Sequence, residues 1–119
     1  MNWLLIFLGG GLGSVVRYSI SHFIAQKVNT IFPLATLIAN FLSCIALILI
    51  INYLNAKATF SEGYRFFLVV GFCGGFSTFS TFSYETFELF KQNHIYMGIG
   101  NIIISISACL AVIYLLAKN

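Results

Sequence analysis

The fold of this chain depends on one stretch in its second half, Gly71-Phe72-Cys73-Gly74-Gly75-Phe76-Ser77-Thr78-Phe79-Ser80-Thr81-Phe82-Ser83-Tyr84-Glu85. The stretch lies in a long apolar segment, yet it contains three glycines, a row of hydroxyl side chains and three evenly spaced phenylalanines. Glycine weakens a helix, and unwound backbone at membrane depth is tolerated only where protein or a cavity surrounds it. The stretch therefore predicts a transmembrane helix that is broken near its middle and faces something small and polar.

The composition of the rest of the chain places it in a membrane. Of its 119 residues, 60% are hydrophobic and only 8% are charged, whereas about a quarter of the residues in soluble domains are charged. The net charge of +3 is small and gives no case for a nucleic-acid partner. We therefore predict an all-α integral membrane protein with one four-helix transmembrane domain that covers residues 1–119.

Four apolar segments are long enough to cross a bilayer core, which takes about 20 residues in a helix. They cover residues 3–25, 34–54, 65–90 and 96–117, and the third contains the predicted break. Short polar connections cover residues 26–30, 55–64 and 91–94. Four spans place both termini on the same side of the membrane.

The loop charges show almost no bias that would orient these spans. Lys57, Arg65 and Lys118 lie on one side, and Arg17, Lys27 and Lys91 lie on the other. Orientation normally follows an excess of Lys and Arg on the cytoplasmic side. Equal counts predict that the chain inserts both ways and pairs head to tail; the alternative is that other signals determine a single orientation.

The residues give little support for an enzyme. Aspartate is absent, and the only acidic residues are Glu62, Glu85 and Glu88. His22 and His94 lie near span ends, and no nucleophile–base pair or metal constellation is visible. The three cysteines show no metal-ligand spacing and are interpreted as small packing residues. Transport is therefore the better functional class.

Two polar residues in the first two spans have a structural and a functional interpretation. Arg17 follows the small-residue run at positions 9–14; it either snorkels to the interface or forms an electropositive vestibule for anions. Asn40 lies in mid-span, where its amide either links helices or contacts an anion.

The phenylalanines at 76, 79 and 82 alternate with hydroxyl residues. On one α-helix, steps of three residues spread them over about 120° of one face. They form either an aromatic packing stripe with back-bonded hydroxyls or a lining whose positive ring edges contact a small anion. Unwound carbonyls at the break would suit a small cation.

Two further polar features follow the break. Glu85 lies one turn beyond Thr81 and is either a solvated terminus residue or a partner for the Ser/Thr row. In the fourth span, Asn101, Ser105 and Cys109 recur every four residues and form a stripe. The stripe either packs against the third span or lines a pore.

Three motifs together resemble the CrcB/Fluc family of fluoride channels. They are Gly9-Gly10-Gly11-Leu12-Gly13-Ser14-Val15-Val16-Arg17-Tyr18, Ala35-Thr36-Leu37-Ile38-Ala39-Asn40, and the stretch from Gly71 to Glu85. The resemblance covers the whole chain, and the third motif is highly specific. One departure is Ala35, where the family usually has glycine.

The resemblance implies passive fluoride export through two pores of an antiparallel, dual-topology dimer in the inner or plasma membrane of a bacterium. The second subunit is another copy or a paralogue. In the family, backbone carbonyls hold a structural Na⁺ at the dimer centre, and the matching positions here are Gly74 and Ser77. No organic cofactor is expected. The implied fluoride-pore residues are Asn40, Phe79, Phe82, Ser80, Thr81, Ser105 and Glu85, with Arg17 in the vestibule.

Two other functions remain open from the sequence. A dual-topology, proton-coupled multidrug or cation exporter also has four spans, but it needs a membrane-embedded carboxylate. Glu85 would have to supply that carboxylate, because the first span has no acidic residue. The third possibility is a structural subunit of a larger complex.

Overall fold

A computed structural model of the chain describes residues 2–57 and 62–118, which contain helices and no strand. The first span is α1 (Asn2–Lys27), the second is α2 (Leu34–Ala56) and the fourth is α6 (Ile95–Leu116). The third span, Glu62–Lys91, is assembled from four pieces. These are α3 (Glu62–Tyr64), the π-helix π1 (Arg65–Cys73), α4 (Gly74–Phe76) and α5 (Phe79–Lys91).

The four predicted spans are confirmed, because all four helices are long and apolar enough to cross a membrane. Their ends differ from the predicted ends by at most three residues, and the largest difference is the start of the third span at 62 instead of 65. Part of the predicted second connection, residues 58–61, lies outside the described residues.

Local sequence explains how the spans end. Pro33 precedes α2, and Lys27 in the last turn of α1 lies over the Phe23 ring at 5.6 Å from its centroid. After α5 the chain reverses at Asn93, whose φ of 67° is left-handed and is tolerated better by asparagine than by most residues. His94 N–H then donates to Leu89 O at 2.8 Å, which satisfies a carbonyl in the last turn of α5.

The first and third spans touch backbone to backbone through glycine. Gly9 and Gly13 of α1 are buried, and a Cβ at either position would overlap the carbonyl oxygen of Phe67 or Phe72, respectively. A Cβ at Gly75 would similarly overlap Gly10 O. Small residues at a helix–helix contact allow this close approach in membranes. The glycines therefore bring α1 directly against π1 and α4.

The predicted reason for a break in the third span is wrong. Gly74 has helical angles, with φ of −64° and ψ of −35°, and no described glycine has a positive φ. Gly71 and Gly75 lie against the backbone of α1, which leaves too little room for a side chain at either position. The extended backbone lies instead at Ser77 and Thr78, between α4 and α5.

Many large apolar side chains face outward in this bundle, and several polar side chains are buried inside it. The buried polar residues are Thr36, Ser43, Thr86, Asn101 and Ser105. Exposed residues include Trp3, Phe7 and Tyr96, which are 87%, 75% and 92% exposed. A lipid environment stabilises such an apolar exterior, whereas buried polar groups need partners within the protein.

Replacing Gly13 with alanine should lower the thermal stability of the purified protein in detergent. The added Cβ would overlap backbone atoms of π1, which cannot move as a side-chain tip can. Gly11→Ala is the matched control, because no atom of another helix lies within 4 Å of the position of its Cβ. Alanine at an open helix position is favoured by up to about 1 kcal/mol. Equal melting temperatures for the two variants would contradict the close contact.

Candidate functional site

Two extended residues separate α4 from α5. Ser77 has φ of −88° and ψ of 158°, and Thr78 has φ of −148° and ψ of 114°. Thr78 caps α5, because its Oγ1 accepts a hydrogen bond from Thr81 N at 3.2 Å. Ser77 Oγ donates to Cys73 O at 3.3 Å. The Thr78 hydroxyl thus replaces a missing helical acceptor, whereas the Ser77 hydroxyl is a second donor to Cys73 O, which also accepts from Ser77 N–H.

The carboxamide of Asn40 holds this extended backbone from α2. Thr78 N–H donates to Asn40 Oδ1 at 2.8 Å, and Asn40 Nδ2 donates to Thr78 O at 3.2 Å. The interpretation of Asn40 as a link between helices is therefore what the structure shows. Because an amide nitrogen carries two N–H groups, one further N–H of Asn40 is left for a guest.

Beside this contact lies a groove between α2, α5 and α6, which we call the central groove. Its volume is about 240 Å³. It is lined by Asn40, Cys44, Ser77, Thr78, Phe79, Phe82, Ser105, Ile106 and Cys109. No lining residue carries a carboxylate, an amine or a guanidinium group. The central groove therefore offers amide, hydroxyl, thiol and aromatic groups to a guest, without a formal charge.

The two phenylalanines of the groove contact each other but differ in burial. The ring centroids of Phe79 and Phe82 are 5.7 Å apart, and the planes are tilted by 43°. Phe79 is 77% exposed, whereas Phe82 is only 9% exposed. Phe76 is buried in α4, before the extended residues. The predicted spread of all three rings over one helix face is wrong, because they do not belong to one continuous helix.

The fourth span reaches the groove through a chain of buried hydrogen bonds. Ser105 Oγ donates to Asn101 Oδ1 at 3.1 Å, and Asn101 Nδ2 donates to Thr86 Oγ1 at 2.8 Å. Thr86 Oγ1 donates in turn to Phe82 O, also at 2.8 Å. The stripe predicted in the fourth span thus packs against the third span, and Ser105 also lines the groove.

Sequence reasoning did not single out two residues of this region. Thr86 connects Phe82 to Asn101, and Cys44 lines the groove one turn beyond Asn40. A four-residue spacing places side chains on one helix face, so both positions share a face with a predicted site residue. This four-residue spacing is the sequence feature from which both residues could have been predicted.

The beginning of α5 adds an electrostatic feature. Thr78 and Phe79, at the N-terminus of this 13-residue helix, both line the central groove. The peptide dipoles of a helix sum to about half a positive charge at its N-terminus, which attracts anions. An anion in the groove would therefore be favoured although no lining side chain is charged.

Three predicted pore residues lie outside the groove lining. Ser80 is exposed and Thr81 is half-buried on α5. Glu85 lines a separate cavity of about 410 Å³, together with residues of the connection between α1 and α2 and with Glu88 and Gln92. Its Oε1 is buried and has no hydrogen-bond partner among the described residues. The structure therefore brings Asn40, Phe79, Phe82 and Ser105 together and places Glu85 beyond them.

The remaining predicted residues lie around the extended backbone. Arg17 is half-buried, and its Nε donates to Gly75 O at 3.1 Å, so it links α1 to the third span. Gly74 and Ser77 are exposed on the surface of the single chain. Among the described residues, no group of three His, Cys, Asp or Glu side chains is placed to hold a metal ion.

Comparison with known proteins gives a match over almost the whole chain. Residues 4–116 match the family described as CrcB-like protein, Camphor Resistance (CrcB). A relative from Solibacter usitatus is 35% identical over 114 residues, which cover 96% of this chain and 93% of the relative. A relative from Pyrococcus horikoshii is 42% identical over 111 residues, which cover 93% and 89% of the two chains.

A third relative, from Coxiella burnetii, is 39% identical over 112 residues, which cover 93% of this chain and 90% of the relative. All three relatives bear the name fluoride-specific ion channel FluC. These names describe ion channels, so the prediction that the chain is not an enzyme is confirmed. The family resemblance seen in the three motifs is confirmed as well. This multi-pass membrane protein belongs to the CrcB-like family.

Proposed function

We propose that this protein is a passive, fluoride-selective ion channel that exports cytoplasmic fluoride. The observation that carries the proposal is the central groove, where Asn40, Phe79, Phe82 and Ser105 meet without a charged side chain. The names of the relatives support the choice of ion.

The chemistry of the groove suits a small anion that loses part of its hydration shell. The second N–H of Asn40 replaces one water molecule, and the positive edges of Phe79 and Phe82 contribute further attraction. The N-terminus of α5 adds its partial positive charge. A carboxylate in the same place would repel the anion, and the groove lining contains none.

Passive flow fits the groove, because its lining contains no carboxylate, imidazole or amine to carry a coupled proton. Hydrogen fluoride crosses membranes as a neutral molecule and dissociates in the cytoplasm. The trapped anion then leaves down its electrochemical gradient through the channel.

The proposed route continues from the groove along α5. Ser80 and Thr81 form a polar track, and Glu85 stands near its end, four residues beyond Thr81. Arg17 provides positive charge close to the extended backbone, where it attracts anions into a vestibule.

An antiparallel dimer with two pores completes the proposed channel, with a second copy or a paralogue as partner. In one chain, the groove is open and Phe79 is 77% exposed at mid-span. Carbonyl-bearing backbone at Gly74 and Ser77 is exposed as well. Backbone groups without hydrogen-bond partners are costly in lipid, so we expect a second subunit to cover this surface. The equal Lys/Arg counts allow that subunit to insert in the opposite orientation. The location is the inner or plasma membrane of a bacterium.

The backbone carbonyl oxygens at the proposed dimer centre suit a structural Na⁺. Thr78 N–H donates to Asn40 Oδ1 and Thr81 N–H donates to Thr78 Oγ1, so the carbonyls of Gly74 and Ser77 lack these usual helical donors four residues later. Oxygen ligands suit hard cations. When bound, the ion would neutralise the carbonyl dipoles that two subunits bring together. Gly74 and Ser77 of each subunit would hold it.

A proton-coupled exporter is less consistent with this geometry. Its carboxylate would have to be Glu85, which lies in the cavity near the span end and not in the central groove. A purely structural role would leave the convergence of amide and ring edges in the groove without an explanation.

Fluoride efflux from liposomes that contain the purified chain is the direct test. We expect fast fluoride release without chloride release when an ionophore balances the charge. Asn40→Asp should slow release about 1000-fold, because a carboxylate about 4 Å from the anion costs about 4 kcal/mol at an effective dielectric constant of 20. Phe79→Ile should slow it roughly tenfold through loss of the ring edge. A fluoride electrode and a chloride electrode measure the release rates of the two ions.

Phe87→Ile is the matched control, because Phe87 is exposed on α5 and does not line the groove. It should leave the release rate unchanged. Normal fluoride release from both Asn40→Asp and Phe79→Ile would refute the pore assignment.

Dual topology predicts how a cysteine at the C-terminus reacts. In a background without native cysteines, Asn119→Cys, which keeps the Lys/Arg counts equal, should be labelled by a membrane-impermeant thiol reagent in about half of the chains in intact cells. The same labelling in permeabilised cells measures the total number of reactive chains. Complete labelling or complete protection would establish one orientation and exclude the antiparallel homodimer.

The proposed Na⁺ site predicts a dependence of stability on the cation. Replacing Na⁺ with N-methylglucamine at constant ionic strength should lower the melting temperature of the dimer, because an ion that binds only the folded state stabilises it. Equal melting temperatures in the two salts, after extensive dialysis, would argue against the ion.

A further inference from the structure

Two cysteines from different helices meet in the central groove. Cys44 of α2 and Cys109 of α6 both line it, so two thiols from different helices face one space of about 240 Å³. Both are half-buried, so both are reachable from the groove. Each lies one turn beyond a polar groove residue, Asn40 and Ser105 respectively. The sequence-based interpretation as separate packing residues missed this pair, because 65 positions separate the two along the chain (109 − 44).

We propose that Cys44 and Cys109 form a two-coordinate binding site for a thiophilic divalent cation of the mercuric type. Soft thiolate ligands select soft cations. Such cations bind two sulfur ligands, and α2 and α6 each contribute one thiol to the groove. The site lies beside the groups assigned to the anion but uses different ligands.

The ligand count excludes a conventional zinc site here. Structural zinc requires four ligands, and a catalytic zinc requires three from the protein. No group of three His, Cys, Asp or Glu side chains in the described part of the chain is placed to supply them. The third cysteine, Cys73, is buried in π1 and does not line the groove.

Charge balance also favours a divalent cation. Binding breaks two S–H bonds, forms two metal–sulfur bonds and releases two protons to solvent, with no oxidation or reduction. The two thiolates and the divalent cation sum to zero charge. A neutral adduct avoids the cost of burying a net charge at membrane depth, which a monovalent cation with two thiolates would incur.

Metal binding at this site would also block the groove. The bridge would join α2 to α6 across a space of about 240 Å³. This consequence for ion flow depends on the proposed function, whereas the metal site itself does not. The two are therefore measured separately.

The binding test uses mercuric chloride and the purified full-length protein. The protein is mixed with one equivalent of mercuric chloride and washed with excess monothiol. The mercury that remains bound is then measured by elemental mass spectrometry. A two-sulfur chelate resists the wash, whereas a single-sulfur adduct exchanges. We expect one mercury per chain in the unmodified protein and in Cys73→Ser. We expect complete loss in Cys44→Ser and in Cys109→Ser.

A second readout needs no variant and so does not depend on variant folding. Alkylation of the metal-loaded, unfolded protein followed by peptide mass spectrometry should modify Cys73 and leave Cys44 and Cys109 protected. Protection of Cys73, retention of mercury in Cys44→Ser or Cys109→Ser, or mercury-linked pairs of chains on a denaturing gel would overturn the proposal.

Fluoride release separates the metal site from the pore assignment. Mercuric chloride should stop release by the unmodified protein, an excess of dithiol should restore it, and Cys109→Ser should be insensitive relative to its own metal-free rate. Mercury retained at both cysteines without an effect on fluoride release would support the metal site and contradict the groove as the pore. Block without protection of Cys44 and Cys109 would contradict the metal site alone.

Discussion

The double hydrogen bond between the Asn40 amide and the Thr78 backbone is the interaction on which this structure depends. Extended backbone in the middle of a span leaves polar groups without helical partners, and in hydrocarbon each such group costs several kcal/mol. A carboxamide places a donor and an acceptor side by side, so one side chain satisfies both groups of Thr78 at once. The same contact joins α2 to the third span and positions Phe79 and Phe82 beside the groove.

Close glycine packing provides the second support for the extended residues. Gly9, Gly13 and Gly75 bring α1 against π1 and α4 at a distance that a single Cβ would prevent. That approach lets Arg17 reach Gly75 O, just before the extended residues. The backbone around the interruption is therefore held from both sides, by α1 through glycine and arginine and by α2 through asparagine.

The last piece of the third span, α5, packs in turn against α6. Asn101 is only 1% exposed, and it joins Thr86 and Ser105 in one hydrogen-bonded chain. Buried polar contacts between membrane helices contribute about 0.6 kcal/mol each on average, so their main effect here is to specify how α5 and α6 face each other. This facing places Ser105 of α6 and Phe82 of α5 in the lining of the same groove. The result is one groove without charged side chains, in which the groups proposed to bind the anion lie beside two thiols.

Properties that repeat along the chain were predictable from the sequence alone. Hydropathy determined the four spans to within three residues, because the cost of polar groups in lipid acts on each segment independently. The polar residues Asn40 and Ser105 were predictable as inward-facing, since polar atoms in a span must find a partner or a cavity. The family motifs were visible as strings, and they needed no geometry.

Properties that arise between helices were decided only by the tertiary structure. The glycines near position 74 looked like helix breakers, but they stay helical, with Gly71 and Gly75 packed on α1, and the extended backbone lies at Ser77 and Thr78. Glu85 follows the hydroxyl row in sequence but lies in a different cavity from the groove. Cys44 and Cys109 carry no local signal that they are partners. The physical reason is the same in each case: side-chain spacing along one helix determines which face a residue occupies, whereas the neighbouring helix determines what that face touches.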